Sequence, residues 1–133
     1  VISNTAIANV LGQRLQTLVP ELAIAWPNKD LPAGTTHPYL VFDHVPVSRT
    51  DDTLSGGVPI SRGFLMVTVM SEIGTFASTA TDTAEDVAAL YPYALRFAVT
   101  GGTITITNPP EVMQGYPDGP HWRTPVKINY EAS

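Results

Sequence analysis

Cysteine is missing from the chain altogether, which removes disulfides, thiolate metal sites and cysteine nucleophiles at once. Charge is scarce as well. Only 14% of the residues are Asp, Glu, Lys or Arg, and seven cations stand against twelve acids for a formal net charge of −5. Grip on a nucleic-acid backbone depends on clustered cations. Here Arg14, Lys29, Arg49, Arg62, Arg96, Arg123 and Lys127 are scattered singly along the sequence, which argues against general nucleic-acid binding. Long apolar runs are also lacking: no stretch approaches the ~18 to 20 residues of a membrane span. The opening VISNTAIANVLGQRLQTLV has neither a basic leading segment nor a sustained apolar core. A soluble chain without an export signal or a membrane partner is the expectation.

What is present suits a packed globule. Hydrophobic residues make up 44% of 133 positions, enough for one core that hides roughly 70% of the surface the unfolded chain would expose. No linker, internal repeat or low-complexity tract divides the sequence, so residues 1–133 are expected to form one domain. A surface so poor in charge is expected to be partly covered by partners.

Periodicity divides the chain into elements. Ile7, Val10, Leu11, Leu15, Leu18 and Val19 form a stripe of helical spacing, with Ser3 or Asn4 as its cap and Pro20 as its end. LAIAW reads as a short strand, and PNKDLPAGTTHP, with three prolines and a glycine, reads as a loop. YLVFDHVPV (39–47) and GFLMVTVMSEI (63–73) are rich in β-branched and aromatic residues and predict two long strands. Asp82 and Glu85 stand in capping-box spacing, ahead of a helix with a small apolar face of Ala84, Val87, Ala88 and Tyr91 that Pro92 stops. TITIT alternates as a strand should. GYPDGP reads as a turn, and WRTPVKINYEA sets Trp122, Thr124, Val126, Ile128 and Tyr130 against Arg123, Lys127, Asn129 and Glu131 on the other face. The predicted fold class is α+β: a mostly antiparallel mixed sheet with two helices packed on one face.

The stretch RTDDTLSGGVPISRG (49–63) asks for a function. It reads as a loop of about fifteen residues, long for a compact domain. A Walker loop would end in Lys followed by Ser or Thr at the start of a helix, whereas Arg62 and Gly63 lead into a strand. Either the loop is simply solvated, with Gly56 and Gly57 supplying freedom, or it contacts a protein partner or lines a channel. In the second case Arg49, Asp51, Asp52 and Arg62 are the candidate contact residues. As a paired acid and base the two aspartates lack the apolar shielding that would separate their pKa values. The serines of SGGVPIS lack the elbow of a hydrolase nucleophile. His37, His44 and His121, with Asp43 or Asp118, match no metal-ligand spacing, and the neighbours Asp43 and His44 on one strand point to opposite faces. Trp26 and Trp122 read as packing anchors. No catalytic constellation, metal site or cofactor site emerges.

Taken together, the first helix, HPYLVFDHVPVS, SRGFLMVTVMSEIGTFAS, the small-residue helix after it and the closing YPDGPHWRTPVKINYEA resemble the tail-terminator (tail-completion) proteins of phages with long, non-contractile tails. More narrowly, they look like a branch known mainly as a phage-related domain of unknown function. The likeness covers nearly the whole chain. Its most telling part is the ending, where Asp118, Gly119, Trp122, Pro125, Val126, Ile128 and Tyr130 match a D-G turn, an aromatic and then P-V-x-I-x-Y. The resemblance implies a structural protein with no catalysis. It also implies a ring, usually a hexamer of this chain, that seats on the tail tube protein, stops tube growth and offers its other face to the head-tail connector protein. Genomic DNA would pass the lumen without specific binding. The implied location is the head-proximal end of the virion tail, after assembly in the host cytoplasm. A neighbouring head-tail completion or tube component, or a bacterial small-molecule-binding module on the same fold, are the alternatives.

Overall fold

In the computed structural model the described residues are 4–18, 23–26, 39–50, 60–72, 74, 77–99, 101–119 and 121–132. They form helix α1 (Asn4–Leu18), strands β1 (Ile24–Ala25), β2 (Tyr39–Thr50) and β3 (Ile60–Glu72), helix α2 (Ala77–Ala89), and strands β4 (Arg96–Val99), β5 (Gly102–Ile106), β6 (Glu111–Val112), β7 (Tyr116–Asp118) and β8 (His121–Ala132). The order across the sheet is β1-β2-β3-β8-β5-β4, with β6 and β7 also paired to β8. Among the described residues the β1–β2 pairing is parallel and the other strand pairings are antiparallel. The class is α+β, as the periodicities predict.

Strand β8 organises this sheet. One edge runs continuously along β3, from Ser61↔Ala132 to Glu72↔His121. The other meets three short strands in turn: β5 at residues 130–132, β6 at 126–127 and β7 at 121–123. Pro125 lies inside this central strand, a position that normally costs a ladder hydrogen bond. Its carbonyl accepts from the Met113 N–H at 2.9 Å, so its nitrogen also faces away from β3, toward the break between β6 and β7. The missing N–H thus falls where no ladder runs.

Alternation then builds the core. On one face of the sheet Leu40 and Phe42 of β2, Leu65, Val67 and Val69 of β3, and Val126, Ile128 and Tyr130 of β8 are buried. Both helices pack on that face: α1 through Ile7, Leu11 and Leu15, and α2 through Ala80, Ala84 and Val87. Fully burying each such large side chain contributes about 1.5–3 kcal/mol. The small residues of α2 let its backbone lie close to the strands. Helix α1 touches both β2 and β4, strands far apart in the sheet order, so the sheet curls around it. Tyr91 fastens that arrangement: the ring is fully buried and its hydroxyl donates to the Leu11 carbonyl of α1 at 2.6 Å. Burial raises its pKa, outweighing the opposing effect of nearby Arg14, so the hydroxyl stays protonated and remains a donor. Arg14 donates to the Leu90 carbonyl and lies 6.0 Å from the ring centres of Tyr91 and Phe97. Trp26 packs on Phe42 at 5.2 Å and against Gly12, where a Cβ would come within 2.8 Å of the indole.

Several boundaries differ from the sequence reading. Helix α2 starts at Ala77 rather than at an Asp82 cap; burial of Ala80 rewards an extra turn that leaves Asp82 and Glu85 exposed within the helix. GYPDGP contains strand β7, with the turn confined to its end, where Gly119 takes a φ of 60°. Strands β4 and β6 are too short for an alternation to announce them. The 27–38 loop lies outside the described residues.

Two substitutions test this core by opposite signs. Tyr91→Phe should lower unfolding free energy by about 1 kcal/mol through loss of the helix-fastening hydrogen bond. Thr124→Val should raise it by roughly 1 kcal/mol, because the buried Thr124 hydroxyl has no hydrogen-bond partner and a methyl of like shape has nothing to desolvate. Urea denaturation of both variants reads the two shifts.

Candidate functional site

Of the candidate contact residues, Arg49 and Arg62 lie within strands β2 and β3. Strand β2 continues through Thr50 and β3 begins at Ile60, with Arg49 opposite Ser61 and Ser48 opposite Arg62. Arg49 and Arg62 are therefore strand residues, a correction of the sequence reading. The ladder with β8 reaches Ser61 and carries the pairing past the point where composition turns polar. Asp51 and Asp52, with Gly56 and Gly57, lie outside the described residues.

Between Pro46 and Ser48 the register of β2 against β3 shifts by a residue, which leaves Val47 as a bulge with 65% of its surface exposed. Leu40 donates its N–H outward to Ala23 at 2.9 Å. By alternation the backbone of Pro46 also faces away from β3, so this edge carries a proline and a bulge, two features that discourage further strand pairing. On the outer face, Val47, Arg62, Phe64, Lys127, Asn129 and Glu131 help line a shallow groove of about 530 Å³. Arg62 and Glu131 pair at 3.5 Å with partly exposed side chains, and the Lys127 ammonium stands 4.7 Å from the centre of the Phe64 ring.

Charge across the sheet is interleaved. Register puts Arg62, Arg96, Arg123 and Lys127 on the outer face. Arg62 meets Glu131, Arg123 meets Asp118 at 2.5 Å, and Lys127 lies opposite Glu111. Cations scattered in sequence do converge in space, but among the described residues their acidic neighbours leave no basic track for a phosphate backbone.

The other candidates separate. His44 bonds the Tyr130 hydroxyl at 2.5 Å, while His121 stacks edge-on with Tyr39 near the opposite end of β3; His37 lies outside the described residues. Among the described residues no three His, Cys, Asp or Glu side chains gather where they would hold a metal ion, and no helix is long and apolar enough to cross a membrane. Trp122 packs against Gly115, where a Cβ would come within 2.3 Å of the indole nitrogen. Sequence reasoning missed Val47, the Phe64–Lys127 contact and the His44–Tyr130 bond. The available signals were a Pro-Val pair inside a strand pattern and Gly63 inside another, the usual mark of a close approach.

A family model for the phage tail terminator protein matches residues 6–130. The chain belongs to the phage tail terminator family. That family is structural, not enzymatic, and its members serve in the virion tail. Eight solved chains match. One, known by an identifier alone, has 22% identity and a TM-score of 0.76 over 97% of this chain and 92% of its own. Another, from the virion of a native gene transfer agent particle, has 14% identity and a TM-score of 0.66 over 96% and 95%. At these identities the likeness shows the fold. No curated protein matches the chain.

For this terminator-family chain the Arg62–Glu131 pair is a solvated contact rather than a staple. Arg62→Ala or Glu131→Gln should change stability by less than about 1 kcal/mol, and thermal unfolding at low and high salt checks it. Any larger effect on tail assembly would then report lost partner contact, not lost fold.

Proposed function

We propose that the chain acts as one unit that caps the tail tube as a closed ring, probing shape rather than performing chemistry. The observation that carries this reading is the family match over residues 6–130. In it, copies of the chain, six by the family resemblance, meet head to tail so that two different patches of each subunit are covered. That is consistent with a chain in which only 14% of all residues are charged. One ring face complements the last tube ring and arrests growth. The opposite face differs, cannot accept another tube ring and offers a seat to the head-tail connector.

The end of the β2–β3 hairpin supplies contact with the tube or the lumen, with Arg49, Asp51, Asp52 and Arg62 as its polar groups. Acidic groups in a lumen repel DNA and limit sticking during passage. The ring sits at the head-proximal end of the tail and assembles in the host cytoplasm. Likeness to a chain of a virion particle also fits a second reading, a neighbouring head-tail completion or tube component, because that description names the particle and no position within it.

The test is to add the purified chain while its cognate tube protein polymerises on the tail tip and to image the products by negative-stain electron microscopy. A ring at the growing end with tubes held to length is expected. Uncapped overlong tubes, in a reaction shown to be competent, would move the assignment to the second reading. The aspartates have their own test: Asp51→Ala with Asp52→Ala should leave capping intact and slow DNA ejection. Unchanged ejection kinetics and infectivity would remove them from the lumen.

A further inference from the structure

Tyr130 of β8 sends its hydroxyl across Gly63 of β3 to Nε2 of His44 on β2, at 2.5 Å, with the two rings 5.4 Å apart and tilted by 38°. The crossing depends on the missing side chain between them. A Cβ on Gly63 would stand 2.5 Å from the Val45 carbonyl oxygen and 2.8 Å from the Tyr130 hydroxyl, so only glycine leaves the passage open. His44 is also the last residue of β2 before the chain turns outward: Val45, Pro46 and Val47 are exposed, and the register shifts between Pro46 and Ser48. Beyond Ser61 the hairpin loses β8 and continues as a two-stranded ribbon at Thr50↔Ile60, an arrangement with little stability of its own.

We infer that the His44–Tyr130 contact is a pH-sensitive clasp on the outer half of the β2–β3 hairpin, closed on a neutral imidazole and released when the ring takes a proton. A neutral ring meets the hydroxyl in either tautomer, Nε2 accepting in one and donating in the other. Protonation fixes Nε2 as a donor and puts a cation at a half-buried position. Nothing described there compensates it. On its own strand, Asp43 points to the opposite face and Arg49 lies farther out; on β3, Gly63 and Leu65 carry no charge and Arg62 points outward; on β8, Tyr130 is the group in contact. Among the described residues, no charged side chain is buried on this face.

The sign follows from burial, which lowers the His44 pKa below its usual 6.5. Between that lowered value and 6.5 the open hairpin binds a proton that the clasped one refuses. The clasp is therefore at full strength above about 6.5, weakens as pH falls, and levels off below the lowered value. This device goes beyond the capping role, and its test needs no tail component.

The experiment is amide hydrogen exchange by NMR on the whole isotope-labelled chain, with rates corrected for intrinsic exchange, from about pH 7.5 to about pH 5.5, where histidine is the side chain that changes charge. Protection at residues 43–50 and 60–65 should fall from about pH 6.5 downward and level off where the His44 ring signals titrate, by up to about tenfold for each unit of lowering, while α1 and the β5–β8 pairing hold. His44→Gln should abolish the response and His121→Gln should keep it. Should His44→Gln fail to fold, the wild-type and His121→Gln profiles still decide. A His44 titration without local loss of protection, a loss spread evenly over the sheet, or a response removed by His121→Gln would each overturn the clasp.

Discussion

Everything in this fold hangs on a strand that must be paired along both edges. β8 takes a continuous partner on one side, β3, and fills the other with three fragments, β5, β6 and β7. An unpaired stretch in the middle of a sheet would leave buried peptide groups without partners, at roughly 1–3 kcal/mol each. The one place where β8 cannot donate toward the fragments is Pro125, and the fragments separate there, between Val112 and Tyr116. Proline thus fits the central strand because of how its neighbours are divided. It also carries negative information: a single continuous partner along this edge of β8 would forgo a ladder hydrogen bond at Pro125.

Given that anchored strand, the rest of the packing is a matter of covering one face. The sheet curls, α2 lies on it with alanines, and α1 sits where β2 and β4 both reach it. A helix held by a curled sheet still needs a fixed position along its axis. Tyr91 provides this by bonding one particular carbonyl, Leu11 O, where dispersion contacts alone would permit sliding. Cooperation between a directional bond and an undirected apolar contact recurs at Tyr130, whose ring is buried while its hydroxyl picks out His44. In both cases an aromatic body supplies area and a polar tip supplies register.

The sequence made the long elements legible because each carries its own period: three or four residues in α1, and two in β2, β3 and the end of β8. It made the family legible through the ending, from Asp118 to Tyr130, where turn, aromatic and alternating strand come in one order. Short strands escaped, since β6 has two residues and β7 three and neither contains a full alternation. The start of α2 escaped because Ser and Thr there favour a cap locally, while the burial of Ala80 is a tertiary gain invisible to local reading. For the candidate site, Arg49 and Arg62 were readable as residues of interest but not as strand residues. Their pairing is enforced across the sheet by β8, some seventy positions later in the chain. The His44–Tyr130 bond spans 86 positions, and only the lone Gly63 within a strand pattern hints that something must pass close by.

The interleaving of surface charge among the described residues bears on how such a protein selects its partners. A charge-driven contact would be strong at low salt, reach far and tolerate misfit. Contacts made by a bulged valine, an aromatic under an ammonium and a solvated ion pair are short-ranged and reward fit instead. In the capping role proposed above, which would require recognising the end of an assembly and ignoring its side, short range is the useful property. Discrimination must then come from how rigidly the contacting segment is held, because a loose segment adapts to both surfaces at similar cost. The His44–Tyr130 bond that ties β2 to β8 across Gly63 acts on that rigidity directly, which is why a change at buried Tyr130 is expected to be felt farther out along the hairpin, beyond the residues it touches.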